Sequence, residues 1–138
     1  MKNHDQFSSI DTRLGWSLFL LRLGVFSVMI LWALDKLINP AHGAKVLSIF
    51  YGVTDISNVA IYSFGIIQIA IAVGFVIGFM KRYSYGIILV MHGVTTLVSY
   101  KQYLDPFSNM LFFAAWPMLA ACIALYLLRD ADTKLTVS

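Results

Sequence analysis

Four long runs of apolar residues dominate this sequence, and each is about the length that a helix needs to cross a bilayer. They cover about residues 14–36, 59–80, 83–100 and 109–128. Crossing the hydrocarbon core takes about 20 apolar residues in a helix, which satisfies its own backbone polar groups without water. The runs lack the alternation of membrane barrel strands. The sequence therefore predicts an all-α integral membrane four-helix bundle, with residues 1–138 forming one transmembrane domain.

Composition supports this class and argues against others. Hydrophobic residues make up 59% of the chain and charged residues 12%, against about 45–50% and about 25% in soluble domains. The first run is too long for a signal peptide and no small-residue cleavage site follows it, so we interpret it as a retained helix. The net charge of +3 comes without a basic cluster on a soluble scaffold. We therefore expect the lipid bilayer as partner and no nucleic acid.

The distribution of Lys and Arg predicts the orientation. The basic residues expected on the side of both chain ends are Lys2, Arg13, Lys81, Arg82, Arg129 and Lys134. Those expected on the other side are Lys36, Lys45 and Lys101. Basic residues concentrate in cytoplasmic loops. We therefore predict a multi-pass protein of the plasma (inner) membrane with its N- and C-termini in the cytoplasm.

The first outer connection predicts a short amphipathic helix over about residues 40–51. Asn39 is a favourable N-cap, Pro40 suits the first helical position, and Gly52 can end the helix. Apolar residues between 46 and 50 form a stripe. Such a helix is typical of segments that lie on a membrane surface or cap a bundle.

Two further features predict how the long helices pack. Gly74 and Gly78 have the spacing of small residues at close helix contacts, although this spacing is also common as background composition in membrane helices. Pro117 lies within the fourth run and is expected to kink that helix.

Three polar side chains fall inside the apolar runs, where such groups usually face the bundle interior. At about 1.5 Å of rise per residue, Gln68 and His92 lie near the midplane and Arg22 lies somewhat toward the cytoplasm. We expect them to converge on one internal layer. The sequence offers no acidic residue at the depth of Arg22. Arg22 then either extends to lipid phosphate, has a structural role in the bundle, or meets an anionic or carbonyl-bearing ligand.

His92 has several interpretations: a haem or metal ligand, a proton acceptor, a quinone hydrogen-bond donor, or an imidazole bonded to a neighbouring helix. Haem in a bundle often uses two facing histidines. The other histidines are His4, before the first helix, and His42, in the surface helix, which argues against haem. The single Cys122 cannot form an internal disulfide or a cysteine cluster. We predict no metal site.

The end of the first helix carries Trp32, Asp35 and Lys36. This group is either an interfacial ion pair or the rim of a site that opens outward. The sequence contains no nucleophile–base pair or phosphate loop, so we predict no catalytic residue, and nothing in the motifs requires the chain to be an enzyme on its own. The candidate ligand-binding residues are Arg22, Gln68, His92, Trp32, Asp35 and Lys36.

Two stretches, Leu-Arg-Leu-Gly at 21–24 and Trp-Ala-Leu-Asp-Lys-Leu-Ile-Asn-Pro at 32–40, resemble the opening signature of the DoxX-like family of small membrane proteins. Residues 74–82 resemble the end of that family's second helix and its basic turn. The family often carries a Glu where this chain has Gln68, and an amide cannot titrate. Some relatives are subunits of thiosulfate:quinone oxidoreductase, and others are linked to oxidative or thiol stress. The resemblance thus implies that the chain either binds quinone or supports a redox partner in the membrane, and the cofactor itself stays open.

The leading functional hypothesis is an accessory membrane subunit linked to quinone or stress-related redox chemistry. One alternative is a structural module that self-associates or anchors a partner. Another is a small transporter or channel, with a polar path from Thr95 and Ser99 to Arg22.

Overall fold

The structure of the protein, a computed structural model, describes residues 2–138. All regular secondary structure in this range is helical, so the predicted all-α class is confirmed. The helices are α1 (Lys2–Ile38), α2 (Pro40–Tyr51), α3 (Asn58–Val76), α4 (Lys81–Val98), α5 (Tyr100–Tyr103), a 3₁₀ helix (Met110–Ala114) and α6 (Ala115–Leu127).

Three helical segments are long and apolar enough to cross a membrane, judged by length and composition. They are Asn3–Ile38, Asn58–Val76 and Met110–Leu127. These segments suggest a membrane protein, as the sequence predicts. Helix α4 has 18 residues but is less apolar, because it begins with Lys81 and Arg82 and contains His92.

Helix α1 begins about twelve residues before the predicted apolar run. Residues 2–13 contain neither Pro nor Gly, so nothing in them breaks the helix. Asp5 in the first turn suits the positive end of the helix dipole. The hydroxyls of Ser8 and Thr12 donate to carbonyl oxygens one turn earlier.

The connection from α3 to α4 begins earlier than the sequence predicts. Helix α3 ends at Val76, and Gly78 and Met80 follow with positive φ values of 69° and 46°. Gly78 therefore lies beyond the helix, and a Cβ atom on Gly74 would meet nothing within 4 Å. The predicted helix contact through Gly74 and Gly78 is wrong within this chain.

The close helix contact lies at Gly65 instead. A Cβ atom there would lie 3.0 Å from Leu37 Cδ2 and 3.1 Å from the carbonyl oxygen of Ala33. On α2, a Cβ atom at Gly43 would lie 3.4 Å from Lys36 Cγ. The two glycines let α1, α2 and α3 meet closely around Lys36, and α1 packs more extensively on α3 than on any other helix.

A helix is found at residues 40–51, where the sequence predicts one. Asn39 makes no side-chain capping bond, but Gly52 ends the helix in the left-handed conformation with φ of 68°. The N–H groups of Gly52 and Val53 donate to the carbonyl oxygens of Ser48 and Leu47, as in a Schellman motif.

Pro117 does not kink a continuous helix. The fourth apolar run forms two consecutive helices of different type, the 3₁₀ helix and then α6, which begins at Ala115. Pro117 thus occupies the first turn of α6, where a missing N–H removes no intrahelical bond.

Residues 129–138, which we call the return segment, follow α6 and turn back onto the bundle. The N–H of Val137 donates to the carbonyl oxygen of Ile77, and the Ser138 hydroxyl donates to that of Gly78. The return segment therefore lies over the α3–α4 connection. We call the opposite end of the bundle, where α2 lies against Lys36, the α2 end.

Candidate functional site

Arg22 forms a buried ion pair that the sequence analysis missed. Its Nη1 lies 2.9 Å from Asp132 Oδ2, and both side chains are 0% exposed. The expectation that no acidic residue is available to Arg22 is therefore wrong. Depth was assigned along the four apolar runs, whereas Asp132 lies in the return segment, which carries it back into the bundle. No local sequence pattern signals that reversal.

The ion pair belongs to a network with Tyr85 of α4. The Tyr85 hydroxyl donates to Asp132 Oδ2 over 2.6 Å, and Arg22 Nη1 lies 3.2 Å from that hydroxyl oxygen. Arg22 Nη2 donates to the carbonyl oxygens of Lys134 and Leu135 at 2.5 and 3.3 Å. The guanidinium is thus neutralised inside the protein and does not reach lipid phosphate. These contacts support a structural role for Arg22 rather than contact with a ligand.

Lys36 and Gln68 meet at the α2 end. Lys36 Nζ donates to Gln68 Oε1 over 2.9 Å and to the carbonyl oxygen of Trp32 over 3.1 Å. An ammonium group has three N–H donors, so one remains. The Gln68 amide nitrogen has no hydrogen-bond partner among residues 2–138. Gln68 therefore pairs with Lys36 and does not share a layer with Arg22.

Asp35 does not form an ion pair with Lys36, although its charge acts on Lys36 from a longer distance. Its carboxylate lies 2.5 Å from His42 Nδ1, and both side chains are partly exposed. Within the part of the chain that the structure describes, no carboxylate oxygen lies within 4.0 Å of Lys36 Nζ. The sequence analysis did not connect His42 to Asp35, because it placed the two residues on separate elements.

His92 is held by the neighbouring helix. Its Nε2 lies 2.9 Å from the carbonyl oxygen of Ala115, which can only accept, so Nε2 carries a hydrogen. The Thr96 hydroxyl donates to the His92 carbonyl oxygen, and the Tyr103 hydroxyl donates to that of Thr96. Burial raises the pKa of Tyr103. The His92 ring stacks on Trp32, with centroids 6.1 Å apart, and its Nδ1 has no hydrogen-bond partner among the described residues.

A cavity of about 710 Å³ opens at the α2 end, among α1, α2, α3 and α4. We call it the α2-end cavity. Four of the six predicted site residues line it: Trp32, Asp35, Lys36 and Gln68. His92 lines an adjoining cavity on the other side of Trp32, and Arg22 lines neither.

The lining of this cavity combines a mostly apolar surface with a few polar groups. Its polar groups include unused donors from Lys36 and Gln68 and the carboxylate of Asp35, whose Oδ2 is bonded to His42. A large apolar pocket with a few convergent polar groups is the usual form of a small-molecule site. This arrangement suits a lipid-soluble molecule that carries hydrogen-bond acceptors.

Comparisons with known proteins give no relative to argue from. No protein-family model, no curated protein and no solved structure matches the chain. The residues of the cavity and the sequence motifs are therefore the observations that bear on function.

Proposed function

We propose that the protein is a four-helix membrane protein of the DoxX-like type, in which α4 also crosses the bilayer. Three apolar helices support this placement. Helix α4 has 18 residues, which is about 27 Å at 1.5 Å per residue and close to the thickness of the hydrocarbon core. Basic residues near both chain ends support cytoplasmic termini in the inner membrane. The α2 end then faces outward.

Labelling of single cysteines tests this topology. Cys122 is buried and is the only cysteine, so Cys122→Ser provides a cysteine-free background. We expect an impermeant maleimide, added to intact cells, to label Ser48→Cys on α2. Ser8→Cys should react only after the cells are lysed. Labelling of Ser8→Cys in intact cells would indicate the opposite orientation.

We further propose that the α2-end cavity binds a quinone and that the protein serves as an accessory subunit to a membrane redox partner. The observation that carries this proposal is Lys36, whose ammonium lines an apolar cavity with a free N–H and no carboxylate within 4.0 Å among the described residues. A quinone offers two carbonyl acceptors on an apolar ring. The Trp32 indole provides an aromatic wall for that ring.

The charges in the cavity also favour a quinone over a cationic ligand, because the ammonium group of Lys36 would repel a cation. Asp35 is the acidic residue of the lining, and His42 bonds one of its two carboxylate oxygens, Oδ2. The donors left on Lys36 and Gln68 match carbonyl oxygens. The redox partner would supply and remove electrons, and the resemblance to the DoxX-like family supports such a partner.

Quinone binding to protein in lipid nanodiscs tests the proposal, with a chainless dimethoxy-methyl benzoquinone as the probe and tryptophan fluorescence as the signal. Lys36→Met removes the free donor. A hydrogen bond to a charged group contributes about 1.5–3 kcal/mol, so we expect at least about tenfold weaker binding, since 1.4 kcal/mol is about tenfold.

Lys101→Met is the matched control, because Lys101 is an exposed lysine outside the cavity lining. It should bind as the wild type does. Equal affinities of Lys36→Met and Lys101→Met, or no binding to the wild type, would contradict the proposal.

A further inference from the structure

A second cavity, of about 960 Å³, runs along the bundle between α1 and α6. We call it the α1–α6 groove. Its α1 wall extends from Ser17 to Trp32, which is about 22 Å at 1.5 Å of rise per residue. This length is about three quarters of the hydrocarbon core of a bilayer.

Small residues on both walls leave the groove open. On α1, a Cβ atom at Gly24 would meet nothing within 4 Å. On the opposite side the lining includes Ala114, Ala115 and Ala121. Helix α6 packs mainly on α4 and contacts α1 much less. The groove is thus a gap between two helices that share a third neighbour.

The groove adjoins the α2-end cavity. The two cavities share four of their lining residues, which are Trp32, Thr95, Ser99 and Phe112. The two cavities therefore lie next to each other, with Trp32 at their boundary.

We propose that the ligand is an amphiphile with a long apolar chain, whose headgroup occupies the α2-end cavity and whose chain lies in the α1–α6 groove. This inference rests on the proposed function, because it assigns the rest of the same ligand. Lipid chains compete for the groove, and the hydrophobic effect gives no preference between apolar chains inside a bilayer. Selection comes from the covalent link to the headgroup, which raises the local concentration of the chain at the groove.

The test compares two probes in nanodiscs: the chainless dimethoxy-methyl benzoquinone and its decyl derivative, each at matched concentration in the lipid. Gly24→Leu fills the groove from α1, and Ala114→Leu fills it from the other wall. Gly74→Leu is the matched control, because its added side chain also meets open space and Gly74 lines neither cavity.

We expect the wild type to bind the decyl compound more tightly than the chainless one. Gly24→Leu and Ala114→Leu should weaken binding of the decyl compound about tenfold, which is about 1.4 kcal/mol and within the range for overpacking. Binding of the chainless compound should change less than about twofold in every variant, and Gly74→Leu should match the wild type for both probes.

The outcomes separate the two proposals. Equal affinity of the two probes, with no effect of either groove variant, overturns the assignment of the chain and leaves the quinone site standing. Failure of both probes to bind the wild type overturns the quinone site and the chain assignment together.

Discussion

Removing the carboxylate of Asp132 should destabilise the protein more than any other single substitution in the return segment. The side chain is 0% exposed and accepts from Arg22 and Tyr85. Asp132→Ala leaves the Arg22 guanidinium buried without a counter-charge. Removing one partner of a buried ion pair costs about 3–5 kcal/mol. We expect a loss near the lower limit, because the return segment can detach and let water reach the guanidinium.

The pair can be measured with a double-mutant cycle. Arg22→Met leaves Asp132 buried without its cation, and we expect a loss of similar size. Asp132→Leu is the second single variant of the cycle, and Arg22→Met combined with Asp132→Leu removes both charges, a replacement that is often neutral or stabilising. The double variant should therefore be more stable than either single variant. Additive losses would indicate that the two side chains do not interact.

The assay is unfolding by SDS in mixed micelles, followed by the fluorescence of the tryptophans. Asp130→Ala is the control, because Asp130 lies two residues away in the return segment and is exposed. Exposed substitutions usually change the free energy of unfolding by less than about 0.5 kcal/mol. If Asp132→Ala lay within that range of Asp130→Ala, the buried ion pair would be refuted.

The same assay tests two further predictions about the packing that positions the site. Gly65→Ala should lower the free energy of unfolding by about 1–3 kcal/mol, because its methyl group would lie 3.1 Å from the carbonyl oxygen of Ala33. Gly74→Ala should raise it by up to about 0.5–1 kcal/mol, and equal effects of the two would contradict the close contact. His92→Leu should cost about 1–3 kcal/mol by leaving the Ala115 carbonyl oxygen without its donor, and an unchanged stability would argue against that bond.

The parts of the fold that depend on local physical chemistry could be predicted from the sequence. Apolar runs of the right length predict the long helices, and Pro40 with Gly52 predicts α2 closely. Helix ends were less predictable. Helix α1 starts early because nothing in residues 2–13 disfavours a helix, and α3 ends early at a left-handed turn around Gly78.

The pairing of charges was the hardest part to predict, because it depends on contacts between distant segments. Arg22 and Asp132 are 110 positions apart in the sequence and meet only because the return segment folds back. Asp35 and Lys36 are adjacent, yet the carboxylate pairs with His42 on α2. Depth along a helix therefore identified which polar residues are inside the bundle, but it could not identify their partners.

Those partners distinguish Arg22 from Lys36, the two cations of α1 among the candidate site residues. Arg22 has a carboxylate, a phenol and two carbonyl oxygens around it, so its charge is already satisfied within the fold. Lys36 has only a carbonyl oxygen and the amide of Gln68, and it lines an open cavity. A partly buried cation without an ion-pair partner is costly unless something else supplies acceptors. The residue that first drew attention thus holds the bundle together, and the less conspicuous lysine marks the place where a ligand would gain most.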